Sequence, residues 1–294
     1  MNTQKNIHTS GTTGFQWVNA VRAGEEETLY LEQTYGLHPL DIKECLPPLQ
    51  RPKLISRPDY LFLILVFPIF NRRTKELDVE EVDFFIKKDM VITVHNNRLQ
   101  ALTNFFELLE LNRPHREDLM SNPARFLSQL LDELLDACFP MLLHISNDIE
   151  ALNKKVFKGY TKEIIHEILR IKTNIVAFRK MIQPHRDLLF RAQAMLPDFF
   201  PIDRHTHAFQ RLIDHCREIW DNLETYNYAI DGLHQTHTTL ISFRLNEIMR
   251  TLTVFSIIIF SLTLFATVLA IGARATPLVT SPFGFWFISF FMLI

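Results

Sequence analysis

The chain is 294 residues long and 47% apolar, enough to bury a sizeable core, so a disordered chain is not expected. Its 31 lysines and arginines against 33 aspartates and glutamates leave a formal charge of −2, so nothing electrostatic draws it to nucleic acid and no such partner is expected. Cys45, Cys138 and Cys216 are far apart and form no CxxC pair, which argues against a disulfide framework or a zinc knuckle; the polar opening MNTQKNIHTSGTTG lacks the apolar core of a secretory signal.

In chain order, LYLEQTYGLHPLDIKECL predicts a helix that stops at Gly36 and a second that starts near Pro39. YLFLILVFPIF runs into the turn NRRTKE, and VEEVDFFI and MVITVH flank KKD, a spacing that predicts hairpins of a mixed sheet. Residues 1–115 are accordingly read as an α/β domain. From Asn122 the apolar residues recur three and four apart through FLSQLLDELLDACFPMLLHISNDIEALNKKVF and IIHEILRIKTNIVAFRKMI, so residues 116–202 form a long-helix region. Pro140 and Pro184 bracket one long helical segment there, with Gly159 as a weak point or turn, and LPDFFPIDRH interrupts the pattern.

No proline occurs between Pro201 and Pro277, and a single helix from about His207 to Ile271 would be on the order of 100 Å long at 1.5 Å per residue. Its first part, residues 203–251, reads as a stalk. Its second, LTVFSIIIFSLTLFATVLAI over residues 252–271, is uncharged and long enough to cross a lipid bilayer. Arg244 and Arg250 precede this span and Arg274 follows it, a bias that puts the N-terminal domain on the cytoplasmic side of a cell (inner) membrane. Residues 272–282 then form an outer loop carrying Arg274, and residues 283–294 start a second span, so a multi-pass protein is expected. A complete span needs roughly 20 residues, so this second one is expected to be incomplete.

On a helical wheel of about 100° per residue, Asn246, Met249, Thr253, Ser256, Phe260, Thr263 and Thr267 share an arc of roughly 100°. In hydrocarbon such a polar stripe turns toward other helices or water, so it is either a tight helix interface or one wall of a pore. Because Ser and Thr can bond their own helix's carbonyls, the residues alone lean toward packing. The pore reading has its own chemistry: rings of neutral oxygens can hold a hydrated magnesium ion through its outer shell, with Met249, Leu252 and Phe260 as apolar constrictions. Elsewhere the signals are weaker. His205 and His207 are two apart and face different sides of a helix, Glu80, Glu81 and Asp83 alternate across a strand and read as a solvated face, and Glu25, Glu26 and Glu27 read as a surface charge run. Without GxSxG, a Walker-type loop or HExxH, neither an enzyme nor a cofactor is expected.

The positions Asn246-Glu247, Met249, Leu252-Thr253 and Leu262-Thr263 in LNEIMRTLTVFSIIIFSLTLFATVLAIG resemble the pore-helix entry of the CorA family of magnesium and divalent metal ion transporters. Upstream, GLHPLDIKECLPPLQRPKLISRPDYLFLILVFPIF is similar to that family's N-terminal pattern, and IQPHRDLLF and IDHCREIWDNLETY to its long helices. The resemblance implies a CorA-like funnel: an α+β cytosolic domain, long helices, and a C-terminal two-span transmembrane hairpin, assembled as a homopentamer. Five polar stripes would line the pore, with Asn246, Met249, Leu252, Phe260 and Thr263 facing it and Met249 and Leu252 in its gate.

Four departures are legible. Ala270, Ile271 and Gly272 stand at the family's Gly-Met-Asn filter, and Ser261 replaces its proline. The outer loop carries Arg274 and no carboxylate, and Arg211 falls at the aspartate used for divalent sensing. The function implied is passive flux of a divalent cation, Mg²⁺ first, through a pentameric pore gated by stalk motion, with the ion as cargo. Two alternatives stay open: a non-conducting scaffold or modulatory subunit, and a pore with altered ion preference.

Overall fold

The computed structural model describes residues 6–157, 162–199, 206–270, 281–284, 286, 287 and 290. The chain divides into two compact units, Met1–His234 and Gln235–Ile294. In the first, β1 (Ile7–Gly11) and β2 (Gln16–Val21) pair antiparallel. Helix α1 (Glu25–Tyr35) starts with the Glu27 carboxylate accepting from Gly24 N at 2.9 Å and ends at Gly36, whose φ of 65° is left-handed. The acidic run Glu25–Glu27 therefore stabilises a helix start, where carboxylates suit the dipole. Helix α2 (Pro39–Glu44) opens on a proline, as the sequence predicts.

Strands β3 (Lys53–Ser56), β4 (Leu61–Asn71), β5 (Glu76–Ile86) and β6 (Met90–His95) complete a six-stranded sheet in the order β1-β2-β6-β5-β4-β3. Only β2 and β6 run parallel, so the expected mixed sheet and its β4-β5-β6 hairpins are present. One face packs Val18, Ala20, Phe62, Ile64, Phe85 and Val94 against Leu31 of α1 and Ile42 of α2. The other face buries Trp17 against Phe105 and Phe126, at 5.7 and 5.4 Å between ring centroids. The two phenylalanines come from α3 (Gln100–Leu111) and, beyond α4 (Arg113–Met120), from α5 (Pro123–Asp136).

Because both faces are covered, strand alternation creates no wet face, and the expectation for the acidic cluster fails: Glu80, Glu81 and Asp83 are 1%, 6% and 2% exposed.

The segment between Pro140 and Pro184 is two helices, α6 (Phe139–Val156) and α7 (Lys162–Ile182), rather than one unbroken helix; Gly159, the expected weak point or turn, lies outside the described residues. Asp148 pairs with Arg170 and Lys155 with Glu167, a reversed order that sets the two helices antiparallel. Helix α7 also holds the β4–β5 turn, since Asn174 Nδ2 and Arg170 Nη1 donate to Lys75 O at 2.8 and 3.0 Å. After α8 (His185–Met195), helix α9 runs unbroken over Thr206–Ala270, matching the long helix expected from about His207. Its early turns bury Phe209, Leu212, Cys216, Ile219 and Leu223 at three- and four-residue spacing, and Ile230 two turns further on. Arg179 lies 4.5 Å over the Trp220 ring, and Lys172 reaches Asp231 at 2.5 Å.

Candidate pore-lining site

Within the second unit, α9 exposes nearly every side chain from Ile241 onward, Met249, Leu252 and Phe260 at 58%, 57% and 73%. A helix this apolar gains nothing from standing in water. Among the described residues α9 is the one helix long and apolar enough to cross a membrane. Asn246, Met249, Thr253, Ser256, Phe260, Thr263 and Thr267 all lie on it in unbroken helical register, so they share one face, with Leu252 beside them. Ala270 is its last residue; Ile271, Gly272 and Arg274 lie outside the described residues, as does most of 283–294.

The stripe's hydroxyls are all spent in the same way. Thr253 Oγ1 donates to Met249 O at 2.8 Å, Ser256 Oγ to Leu252 O at 2.8 Å, Thr263 Oγ1 to Ile259 O at 2.7 Å and Thr267 Oγ1 to Thr263 O at 2.6 Å. A hydroxyl has one proton and two lone pairs, so each of these keeps only acceptor capacity for anything beside the helix. The stripe carries no charge; the nearest ion pair, Arg244 with Glu247 at 3.0 Å, lies beside its first turn and off its face. The face can therefore accept hydrogen bonds from water or from another helix, while Met249, Leu252 and Phe260 interrupt it with hydrocarbon.

Arg211, at the position where the resemblance would have a sensing aspartate, donates to Asp132 Oδ2 at 2.6 Å. His215 Nδ1 lies 3.2 Å from Asp132 Oδ1 and 3.6 Å from Asp136 Oδ1. Burial raises the Asp132 carboxyl pKa, and the Arg211 charge opposes the rise. Asp132 escaped the sequence reading because it sits in an amphipathic leucine run, where only its contact with a helix 79 residues away marks it.

With the fold and this face in place, the comparisons decide the affiliation. Residues 12–294 match the family described as CorA-like Mg²⁺ transporter protein. The chain belongs to the CorA family. It is 28% identical over 271 residues to YfjQ of Bacillus subtilis, named for metal ion transport, covering 92% of this chain and 82% of that one. The cobalt/magnesium transport protein CorA of Thermotoga maritima is 26% identical over 267 residues, covering 89% of this chain and 74% of the other. In fold, the complete CorA magnesium transporter of Methanocaldococcus jannaschii superposes with a TM-score of 0.82 at 19% identity, over 98% of this chain and 93% of that one. CorA-family proteins are transporters and not enzymes.

Proposed function

We propose that the chain forms a homopentameric membrane pore through which divalent cations, Mg²⁺ first, pass down their electrochemical gradient, with the N-terminal domain in the cytoplasm. The observation that carries the ion's sign is the orientation of the stripe hydroxyls. A hydrated cation turns the hydrogens of its water shell outward, and Thr253, Ser256, Thr263 and Thr267, their own protons given to the helix, meet that shell with lone pairs. An anion would need donors, and the four hydroxyls have already used theirs, leaving only the Asn246 amide at the start of the face. Magnesium releases its waters reluctantly, so contact through the outer shell suits it. Met249 and Leu252 would close the ring by excluding water, and Phe260 would form a second narrowing deeper in the span, with stalk motion setting their separation.

A second reading, a non-conducting CorA-like scaffold or modulatory subunit, is favoured by one specific feature. Ala270, Ile271 and Gly272 replace the filter, removing the asparagine amide from the pore entrance. Magnesium uptake into proteoliposomes separates the two, using the native chain beside one carrying Ala270→Gly, Ile271→Met and Gly272→Asn. Uptake by the native chain supports the pore, uptake by the variant alone supports a sound assembly with a disabled entrance, and silence in both sinks the transport reading.

A further inference from the structure

Strand β5 outruns β6: Val82 is the last residue paired with it, opposite His95, and the end of the sheet beyond is roofed by the Cys45–Gln50 loop. A cavity of about 270 Å³ opens there, with Glu80, Glu81 and Asp83 in its wall. In the register across the sheet, Asp83 stands between Ile64 of β4 and Val94 of β6, a carboxylate set into an apolar row that continues to Ala20. The placement is costly, since a buried carboxylate without a partner is far less stable than the hydrocarbon it displaces. Asp83 Oδ1 nevertheless accepts no hydrogen bond. Glu80 accepts from Asn96 N at 2.8 Å and has Arg98 at 4.0 Å; Glu81 accepts from Gln50 N. Among the described residues, neither Glu81 nor Asp83 has a lysine or arginine within ion-pair distance. Desolvation, reinforced by the Glu81 charge and opposed by a hydrogen bond from Cys45, drives the Asp83 pKa well up.

Three features define the cation that would fit. The carboxylates ask for positive charge. They do not converge as a chelate: among the described residues, the one trio of candidate ligand atoms within 4.8 Å of one another is Asp132, Asp136 and His215. The remaining walls set the hydrocarbon of Leu46, Leu49, Val79 and Val94 beside His95, Asn96 and Arg98, so part of the water shell of a hydrated metal ion would face groups that accept no hydrogen bond. A cation with a hydrocarbon body meets all three conditions. The cavity also adjoins a wider hollow of about 770 Å³ that shares Ala23, Leu46, Pro47 and Asn96; Arg22, Lys43, Glu25 and Glu44 line it further out, with Glu44 already paired with Lys53.

We propose that this cleft binds an aliphatic diamine, one ammonium between Asp83 and Glu81, the methylenes against Leu46 and Val94, and the second ammonium in the outer hollow toward Glu25.

Cys45 lines the inner cavity, whereas Cys138 and Cys216 are buried elsewhere in the chain and serve as internal controls. The test uses the full chain in detergent micelles, with 1,4-diaminobutane as the probe and the alkylation rate of each cysteine read by mass spectrometry. With diamine at ten times its dissociation constant, Cys45 is expected to react about tenfold more slowly, in proportion to the free sites that remain, while Cys138 and Cys216 keep their rates. Asp83→Asn removes the protection. Magnesium chloride at equal ionic strength does not provide it. The proposal falls if about 10 mM diamine fails to protect Cys45, if Asp83→Asn is protected equally, or if magnesium protects and the diamine does not. Should Asp83→Asn expose Cys138, showing that it has not folded, Glu81→Gln takes its place under the same criteria. No ion flux enters the readout, so the outcome is independent of whether the pore conducts.

Discussion

The two units satisfy their polar groups by opposite means. In the sheet, Trp17 Nε1 donates to Thr93 Oγ1, 76 residues away, Thr93 donates to Asn19, and Asp41 accepts from Arg57 and Tyr60 across 16 and 19 residues. In the second unit, Thr253, Ser256, Ser261, Thr263 and Thr267 each bond a carbonyl four residues back. The first arrangement exists only when the whole sheet is assembled. The second is complete in an isolated helix, which is what a segment needs in hydrocarbon, where no water is available as a substitute. The sheet unit is therefore sensitive to a single side chain, and the span is sensitive only in what it shows to its neighbours.

The largest break in that contrast is Trp17→Ala. Trp17 is fully buried, with Phe105, Phe106 and Phe126 around it, and its loss is expected to lower stability by about 4 kcal/mol in thermal unfolding of the detergent-solubilised chain. Next is Asp41→Ala. Desolvation raises the Asp41 pKa, but Arg57 and Tyr60, bonded at 2.6 to 2.9 Å, outweigh it and hold the carboxyl below its ordinary value. Removing the carboxylate strands a guanidinium and a phenol, for an expected loss of about 3 kcal/mol by the same measurement. Asp41→Asn, which keeps one acceptor, should lose less.

Acid should find the same unit. Burial holds His95 and His185 down to about 4, below the 6.5 of a free imidazole, so the unfolded chain binds more protons between those values. Both contributions are complete above 6.5 and are lost as the pH falls toward 4, each by about 2 kcal/mol near pH 5. A melting temperature that stays flat from pH 7 to pH 5 would mean that neither ring is buried in its neutral form.

The same contrast explains what was legible beforehand. The β4–β5–β6 hairpins and α9 announce themselves, because a long apolar run closed by NRRTKE and a proline-free helical pattern are local signals. Strands β1 and β2 do not, since IHTSG and QWVNAV are short and their strand character comes from the neighbours they pair with. The stripe from Asn246 to Thr267 was readable because helical period alone puts its members on one face. Asp41, Asp132 and the Asp83 cleft were not. Their partners or cavities come from distant segments, and VEEVDFFI looks half-solvated until α1 and α2 on one side and α3 and α5 on the other are seen to cover both faces.

The smallest effect is the sharpest for the pore. Thr263 and Ser261 both donate to the carbonyl four residues back, at 2.7 and 2.8 Å, so each costs its helix about the same to lose. They differ in direction: at about 100° per residue Ser261 lies off the stripe that Thr263 shares with Thr253 and Thr267. Thr263→Val keeps the shape and removes the outward lone pairs, so magnesium flux in proteoliposomes is expected to fall about tenfold, equivalent to about 1.4 kcal/mol at the barrier. Ser261→Ala removes the same bond from another face and should leave flux unchanged. Melting temperatures of the two variants should stay close to that of the native chain, since neither hydroxyl holds anything beyond its own helix. Equal losses of flux would show that helix integrity, and not an acceptor face toward the ion, is what the hydroxyls supply, and the stripe would then be a packing surface.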